Sequence, residues 1–95
     1  MATVVLGDFE WDDRKAAANL RKHSVSFEEA LTALADPTAL TAPDLVNADR
    51  AITIGASAFS RVLFVVHTER RRPRRIRLIS ARKASVAQRK KYEEG

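Results

Sequence analysis

The stretch RVLFVVHTERRRPRRIRLISARKA, residues 61–84, decides the fold. Val62, Leu63, Phe64, Val65 and Val66 are apolar at every position, so Arg61–Thr68 reads as a strand covered on both faces or set at the centre of a sheet. Over Arg75–Ala81 the pattern alternates, with Ile76 and Leu78 on one face and Arg77 on the other. Glu69–Arg75, which contains Pro73, reads as a charged turn between the two strands. Arg70–Arg75 then forms the tip of a hairpin.

The segments on either side supply the rest of the fold. Ala84–Glu94 is a polar helix with Ser85 as its cap. Upstream, Ala51-Ile52-Thr53-Ile54-Gly55 alternates with period two, Ala56–Ser60 is a turn, Pro43–Asp49 is a polar loop and Thr38–Thr41 a short strand. Ser26-Phe27-Glu28-Glu29 spells a capping box, and Phe27, Ala30, Leu31 and Leu34 recur at helical spacing behind it. Asp36-Pro37 stops that helix, because the residue before proline avoids the α region.

An earlier helix starts at Asp12 or Asp13 and runs to about Lys22, with Ala16, Leu20 and Ala17 facing inward. Lys22 and His23 sit at its negative end. The link around His23-Ser24-Val25 is short, so the two helices form a hairpin packed on a sheet. Thr3–Leu6 is a β-branched strand, with an extension through Phe9 to Trp11 as an open alternative. The expected class is α+β: an N-terminal strand, a two-helix hairpin on an antiparallel sheet of about three to five strands, and a C-terminal helix. Residues 1–95 are expected to form a single domain.

The charge is divided along the chain. Residues 1–68 hold six Lys/Arg and nine Asp/Glu, a balance of −3, and residues 69–95 hold eleven and three, a balance of +8. A polyanion, nucleic acid above all, is drawn to such a C-terminal third. The 45% hydrophobic content is that of a globular chain. A core of this size is marginal and gains from a partner. There is no cysteine, which excludes disulfides and thiolate metal sites. Met1–Gly7 is too short, and lacks the leading positive charge, for a secretory signal. No apolar run is long enough to span a bilayer, so no membrane role is expected and the compartment expected is the cytoplasm.

The chemically capable residues narrow the reaction. The three glycines, at 7, 55 and 95, make no phosphate-binding loop. His23 and His67, the only histidines, lack metal-ligand spacing, so neither a metal nor another cofactor is expected. No Gly-x-Ser-x-Gly element supports a serine triad. What remains is phosphate chemistry on RNA, which brings its own nucleophile in the ribose 2′-OH. A protein need only take that proton, stabilise the phosphorane and protonate the leaving 5′-oxygen. Arginine suits the middle task, because its fork matches phosphate oxygens and stays charged.

His67 and Glu69 share strand parity and end the apolar strand, and Arg77 is expected on the same face from a neighbouring strand. Ser80, Arg82 and Lys83 follow at the strand exit. Together they read as base, hydroxyl donor and phosphate clamps. The alternative is that Glu69 pairs with a nearby arginine and His67 is a half-buried strand residue. Arg72, Arg74 and Arg75 read as RNA steering or as a solvated turn. Trp11 reads as a stacking platform for a base or as a core anchor. Tyr92 offers stacking or a proton, or packs the last helix. Lys15 reaches a phosphate or lies on a solvated helix face, and Arg61 joins the RNA-contact set. His23 is expected to be structural.

Phe9-Glu10-Trp11-Asp12, Lys15, Asn19-Leu20-Arg21-Lys22-His23 and Val25-Ser26-Phe27-Glu28-Glu29-Ala30 resemble the opening of the BrnT toxins. Asp36-Pro37, Ile54-Gly55, Val65-Val66-His67-Thr68-Glu69-Arg70, Ile76–Ala84 and Tyr92-Glu93-Glu94 continue the resemblance over about residues 9–94. It implies a RelE/ParE-like ribonuclease toxin of a type II toxin–antitoxin system that arrests translation. It also implies a BrnA-like ribbon-helix-helix antitoxin partner in a 2:2 heterotetramer, with operator DNA reached only through the antitoxin. The functional set it implies is Arg77, Ser80 and Arg82, with Trp11, Lys15, His67, Glu69 and Lys83 behind them. Three positions depart from the family pattern. Ser24 stands where glycine is usual, so a strained or reshaped helix turn is expected. His67 stands where tyrosine is frequent, and Gln88 where an acid is common. Two other readings stay open: a non-catalytic ParE-type inhibitor of an essential enzyme, and a basic nucleic-acid-binding module.

Overall fold

A computed structural model describes residues 2–95; Met1, where the apolar N-terminal run begins, lies outside them. The elements are β1 (Thr3–Leu6), β2 (Phe9–Asp12), α1 (Asp13–His23), α2 (Phe27–Leu34), β3 (Leu40–Pro43), β4 (Arg50–Ala56), β5 (Val62–Arg71), β6 (Arg74–Lys83) and α3 (Val86–Glu94). The strands form one sheet in the order β1-β2-β6-β5-β4-β3. The apolar strand β5 lies inside the sheet, as its composition requires.

The α+β class holds, with three helices and six strands instead of the expected three to five. The extra strand comes from the N-terminus. Gly7 adopts a left-handed φ of +60°, which turns the chain back on itself and makes β1 and β2 an antiparallel hairpin. Nor is the sheet wholly antiparallel, because β2 pairs with β6 in parallel, Phe9 beside Ile76 and Glu10 beside Arg77. The charged turn is also shorter than Glu69–Arg75. Arg70 pairs with Arg75 and Arg71 with Arg74, leaving only Arg72 and Pro73, joined by a cis peptide bond, to close the hairpin.

The helix caps are those the sequence spells. Asp12 accepts from the Arg14 and Lys15 amides, and Ser26 from the Glu29 amide. The full reciprocal box forms instead at α3, between Ser85 and Gln88, since the Glu29 side chain turns inward to Ser57 and Arg61. α1 corrects the expected facing. Leu20 is half exposed and Ala17 is exposed, while Asn19 is buried. α1 lies along the free edge of β6, where Asn19 accepts from the Ala81 N–H and donates to the Ala81 and Val25 carbonyls. An amide that satisfies strand-edge groups outranks leucine there, because an unanswered buried backbone group costs on the order of 1–3 kcal/mol.

One face of the sheet carries the core. Trp11, Leu63, Val65, Leu78 and Ala81 meet Val25, Phe27, Ala30 and Ala33 from the helix hairpin. Each large side chain buried there contributes on the order of 2 kcal/mol. Gly55 allows the close approach of α2: a Cβ at that position would lie 2.5 Å from the Ala33 carbonyl oxygen. Among the described residues, the opposite face, called open here, is bordered by α3, none of whose residues is buried.

Candidate functional site

The site follows from strand register. Antiparallel partners point to the same face. β5 and β6 pair Thr68 with Arg77, Val66 with Ser80 and Phe64 with Arg82. A β-bulge between Val66 and His67 takes up Ile79, which has no partner in the ladder. Without that extra residue Arg77 and Ser80, three apart, would point to opposite faces. The bulge therefore gathers Arg77, Ser80 and Arg82 on the open face, opposite the helix hairpin.

Each arginine in this group is held. The Arg82 guanidinium lies 4.1 Å over the Phe64 ring and donates to Gln88 Oε1 and to the Lys83 carbonyl, both at 3.1 Å. Arg77 donates to Glu10 Oε2. The Glu10 carboxylate is almost wholly buried, and two more arginines face it, Arg75 Nη1 at 3.7 Å and Arg70 Nη1 at 3.9 Å. Three cations thus converge on one anion and leave a surplus of two positive charges beside β6. The alternation of β2 produces this contact: Phe9 and Trp11 pack toward the core, so Glu10 faces the other way, against Arg77.

His67 and Glu69 do not share this face. Their register partners are Leu78 and Ile76, not Arg77. Two residues of equal parity share a face only on one strand; across a hairpin the turn length decides, and here Arg72-Pro73 sets Thr68 opposite Arg77. His67 is half-buried, and its Nε2 shares a 2.8 Å hydrogen bond with the Thr53 hydroxyl, which in turn bonds the Thr41 hydroxyl. Burial pushes the His67 imidazole below its ordinary value, which favours the neutral ring. Glu69 pairs with Arg74 at 2.9 Å on the exposed hairpin. Both residues line clefts on that side. One, of about 470 Å³, lies between Asp8, Glu69, Arg74, Arg75 and Ile76. The other, of about 460 Å³, runs past His67 to Thr41 and Pro43.

The remaining sequence candidates divide between surface and scaffold. Trp11 is 3% exposed and meets Phe27 edge to face at 6.0 Å, so it is a core anchor with no surface for a base. Arg61 is not free for RNA: it donates to both oxygens of the buried Glu29 and to the Ser24 carbonyl. That contact holds the Glu29 carboxyl below its ordinary range and raises the guanidinium further. Tyr92 packs the last helix, its hydroxyl donating to Asp36 at 2.5 Å and sharing a bond with Thr38 at 3.0 Å. Led by that bond, four donors hold the Asp36 carboxyl far below its usual value. Lys15 is exposed and shares a shallow cleft of about 230 Å³ with Lys22, His23, Ile79 and Ser80. Arg72 is exposed in the turn, and Lys83, paired with Leu63, leaves β6 on the side away from Arg82.

The residue missed by sequence reasoning is Glu10. Its signal was present, a carboxylate between Phe9 and Trp11 in an alternating strand, but the register that brings Arg77 beside it was not. Among the described residues no three His, Cys, Asp or Glu side chains converge as metal ligands. No helix among them is long and apolar enough to cross a membrane.

Residues 11–87 match the family model described as the ribonuclease toxin, BrnT, of type II toxin–antitoxin systems. The fold is similar to the 1.1 Å crystal structure of the Brucella abortus ribonuclease toxin, BrnT, with a TM-score of 0.65 and 27% sequence identity. The match covers 79% of this chain and 92% of that one. No curated protein matches the chain.

Proposed function

The chain belongs to the BrnT ribonuclease toxins of type II toxin–antitoxin systems, and we propose that it cleaves RNA, without a metal, at the open face of the sheet. The observation that carries the placement is the bulge that gathers Arg77, Ser80 and Arg82 beside a surplus of two positive charges. A phosphodiester laid across β6 meets guanidinium forks at Arg77 and Arg82 and a hydroxyl at Ser80. The 2′-oxygen attacks phosphorus and the P–O5′ bond breaks. The 2′ proton leaves to a base, the 5′-oxygen gains one, and the product carries a 2′,3′-cyclic phosphate. Negative charge gathers on the non-bridging oxygens along this path, where fixed arginines stabilise it most. Arg72 and Arg75 extend the positive surface that draws the polyanion in.

We propose that residues 1–95 form one toxin domain acting in the cytoplasm, and that its fold is RelE/ParE-like, a reading the order of strands and helices supports. A type II toxin has an antitoxin partner; here we propose the ribbon-helix-helix kind in a 2:2 complex. It covers the basic face by charge complementarity and alone carries the DNA contacts.

Purified antitoxin-free protein incubated with RNA in EDTA should yield fragments ending in 2′,3′-cyclic phosphate. Arg77→Ala should lower the rate roughly 100- to 1000-fold, the usual loss for one positioned donor to a developing oxyanion, with the fold intact by circular dichroism. Intact RNA in the presence of folded wild-type protein overturns the reading.

A further inference from the structure

We infer that Glu10 is a positioning residue of the RNA-cleaving site: it fixes the Arg77 guanidinium and gathers Arg70 and Arg75 around it into one three-arginine phosphate clamp. This rests on the reading of the open face given above. A carboxylate whose side chain is 6% exposed is costly to keep charged, and an apolar residue at this strand position would avoid that cost. Arg77, 20% exposed, is the inner member and is bonded directly to Glu10 Oε2. Arg75 and Arg70, 31% and 54% exposed, stand at 3.7 and 3.9 Å. Those separations are too long for hydrogen bonds but short enough for Coulomb attraction. Their N–H donors thus remain available to a phosphate, while the Glu10 charge keeps the two side chains from dispersing into solvent.

The same geometry argues against Glu10 as the general base. A base must approach the 2′-hydroxyl to about 3 Å. Glu10 Oε2 is engaged by Arg77, Oε1 faces Arg75, and little of the side chain meets solvent. Its action therefore passes through the arginines. It makes the site better ordered at the expense of one unit of positive charge, so its removal should move turnover and RNA affinity in different directions.

The test is steady-state RNA cleavage by wild-type protein, Glu10→Gln, Glu10→Asp and Arg77→Ala, with RNA affinity measured in parallel. Glu10→Gln should lose roughly ten- to a hundredfold in kcat, the scale of a misplaced catalytic group, while binding RNA as tightly as wild type or more tightly. Glu10→Asp keeps the charge but withdraws it by one methylene, and should fall between the two. Wild-type turnover in both Glu10 variants, or a loss confined to KM, overturns the assignment. If Glu10→Gln does not fold, Glu10→Asp decides alone by the same split. An inactive Arg77→Ala beside a fully active Glu10→Gln defeats this inference but leaves the site standing. An active Arg77→Ala defeats both.

Discussion

Glu29 and Glu10 are buried to the same degree, 4% and 5% exposed, and are answered differently. Glu29, on the helix hairpin, takes one arginine, Arg61, and the Ser57 hydroxyl. Charge balances there, one against one, and the pair ties α2 to the start of β5. Glu10 faces three arginines and leaves two positive charges over. Burial by itself therefore does not separate a structural carboxylate from a functional one. The charge count around it does, because a surplus held by a fixed anion is a surface ready for a polyanion.

The contrast is most exposed to failure at Glu29 itself. Glu29→Ala leaves the Arg61 guanidinium without its anion and Ser57 without its acceptor. It should cost roughly 3 kcal/mol of stability, at the low end for a broken buried pair because Arg61 is 29% exposed. Urea unfolding checks this. Cleavage per folded molecule should stay near wild type. A stable Glu29→Ala protein that has lost cleavage would break the division of roles.

Acid sharpens the same contrast. The Glu29 and Asp36 carboxyls are both held below their ordinary values of 4.5 and 3.8, Glu29 by Arg61 and Asp36 chiefly by Tyr92. A depressed folded pKa gives stability that is complete above the unfolded value and is lost as pH falls through the folded one. The carboxylate share of the melting temperature should therefore be flat above about pH 5 and drop below about pH 4.5, and Glu29→Gln should show a shallower drop in that lower range. Equal acid limbs for the two proteins would remove Glu29 from the account. His67, whose value burial lowers, acts in the same direction at higher pH: its contribution is whole above 6.5 and declines below.

How far this division could be read from the chain depends on range. Asp12, Ser26 and Ser85 cap their helices as their local sequences require, and Ile76, Arg77 and Leu78 alternate as spaced. Those are interactions within a few residues. What escaped was long-range. Asn19 in place of Leu20 depends on where the free edge of β6 runs, 62 residues away in sequence. The separation of His67 from Arg77 depends on a turn reduced to Arg72-Pro73. The meeting of Arg77 with Ser80 depends on one bulged residue, and the role of Glu10 on a parallel pairing between the second strand and the sixth.

A smaller test concerns α3, which borders the open face and is joined to the scaffold mainly by side-chain bonds. Tyr92→Phe removes the hydroxyl that bridges Asp36 and Thr38 but leaves Asp36 the Ala56 and Thr38 amides. The cost should be about 1 kcal/mol, seen as faster hydrogen exchange confined to α3, with cleavage changed by no more than a few fold. A loss of cleavage as large as that of Arg77→Ala would move Tyr92 from the scaffold into the chemistry.

The smallest effect should come from the turn that receives Arg61. Ser24 closes α1 with φ of +58° and ψ of +31°, a left-handed cap that suits glycine, and its amide donates to the Leu20 carbonyl at 2.9 Å. Its own carbonyl accepts from Arg61 at 2.9 Å, so the Glu29–Arg61 tie helps to hold the strained residue in place. Ser24→Gly relieves the Cβ clash and keeps both backbone bonds, against the greater freedom glycine has in the unfolded chain. The balance should be a gain of about 0.5 kcal/mol, a rise of a few degrees in melting temperature for a chain of this size. Cleavage should not change, because the gain falls on the Glu29 side of the molecule. A fall in melting temperature would mean that Ser24 is held there by something other than the cap. A change in cleavage would mean that the Glu29 and Glu10 sites are coupled through the sheet.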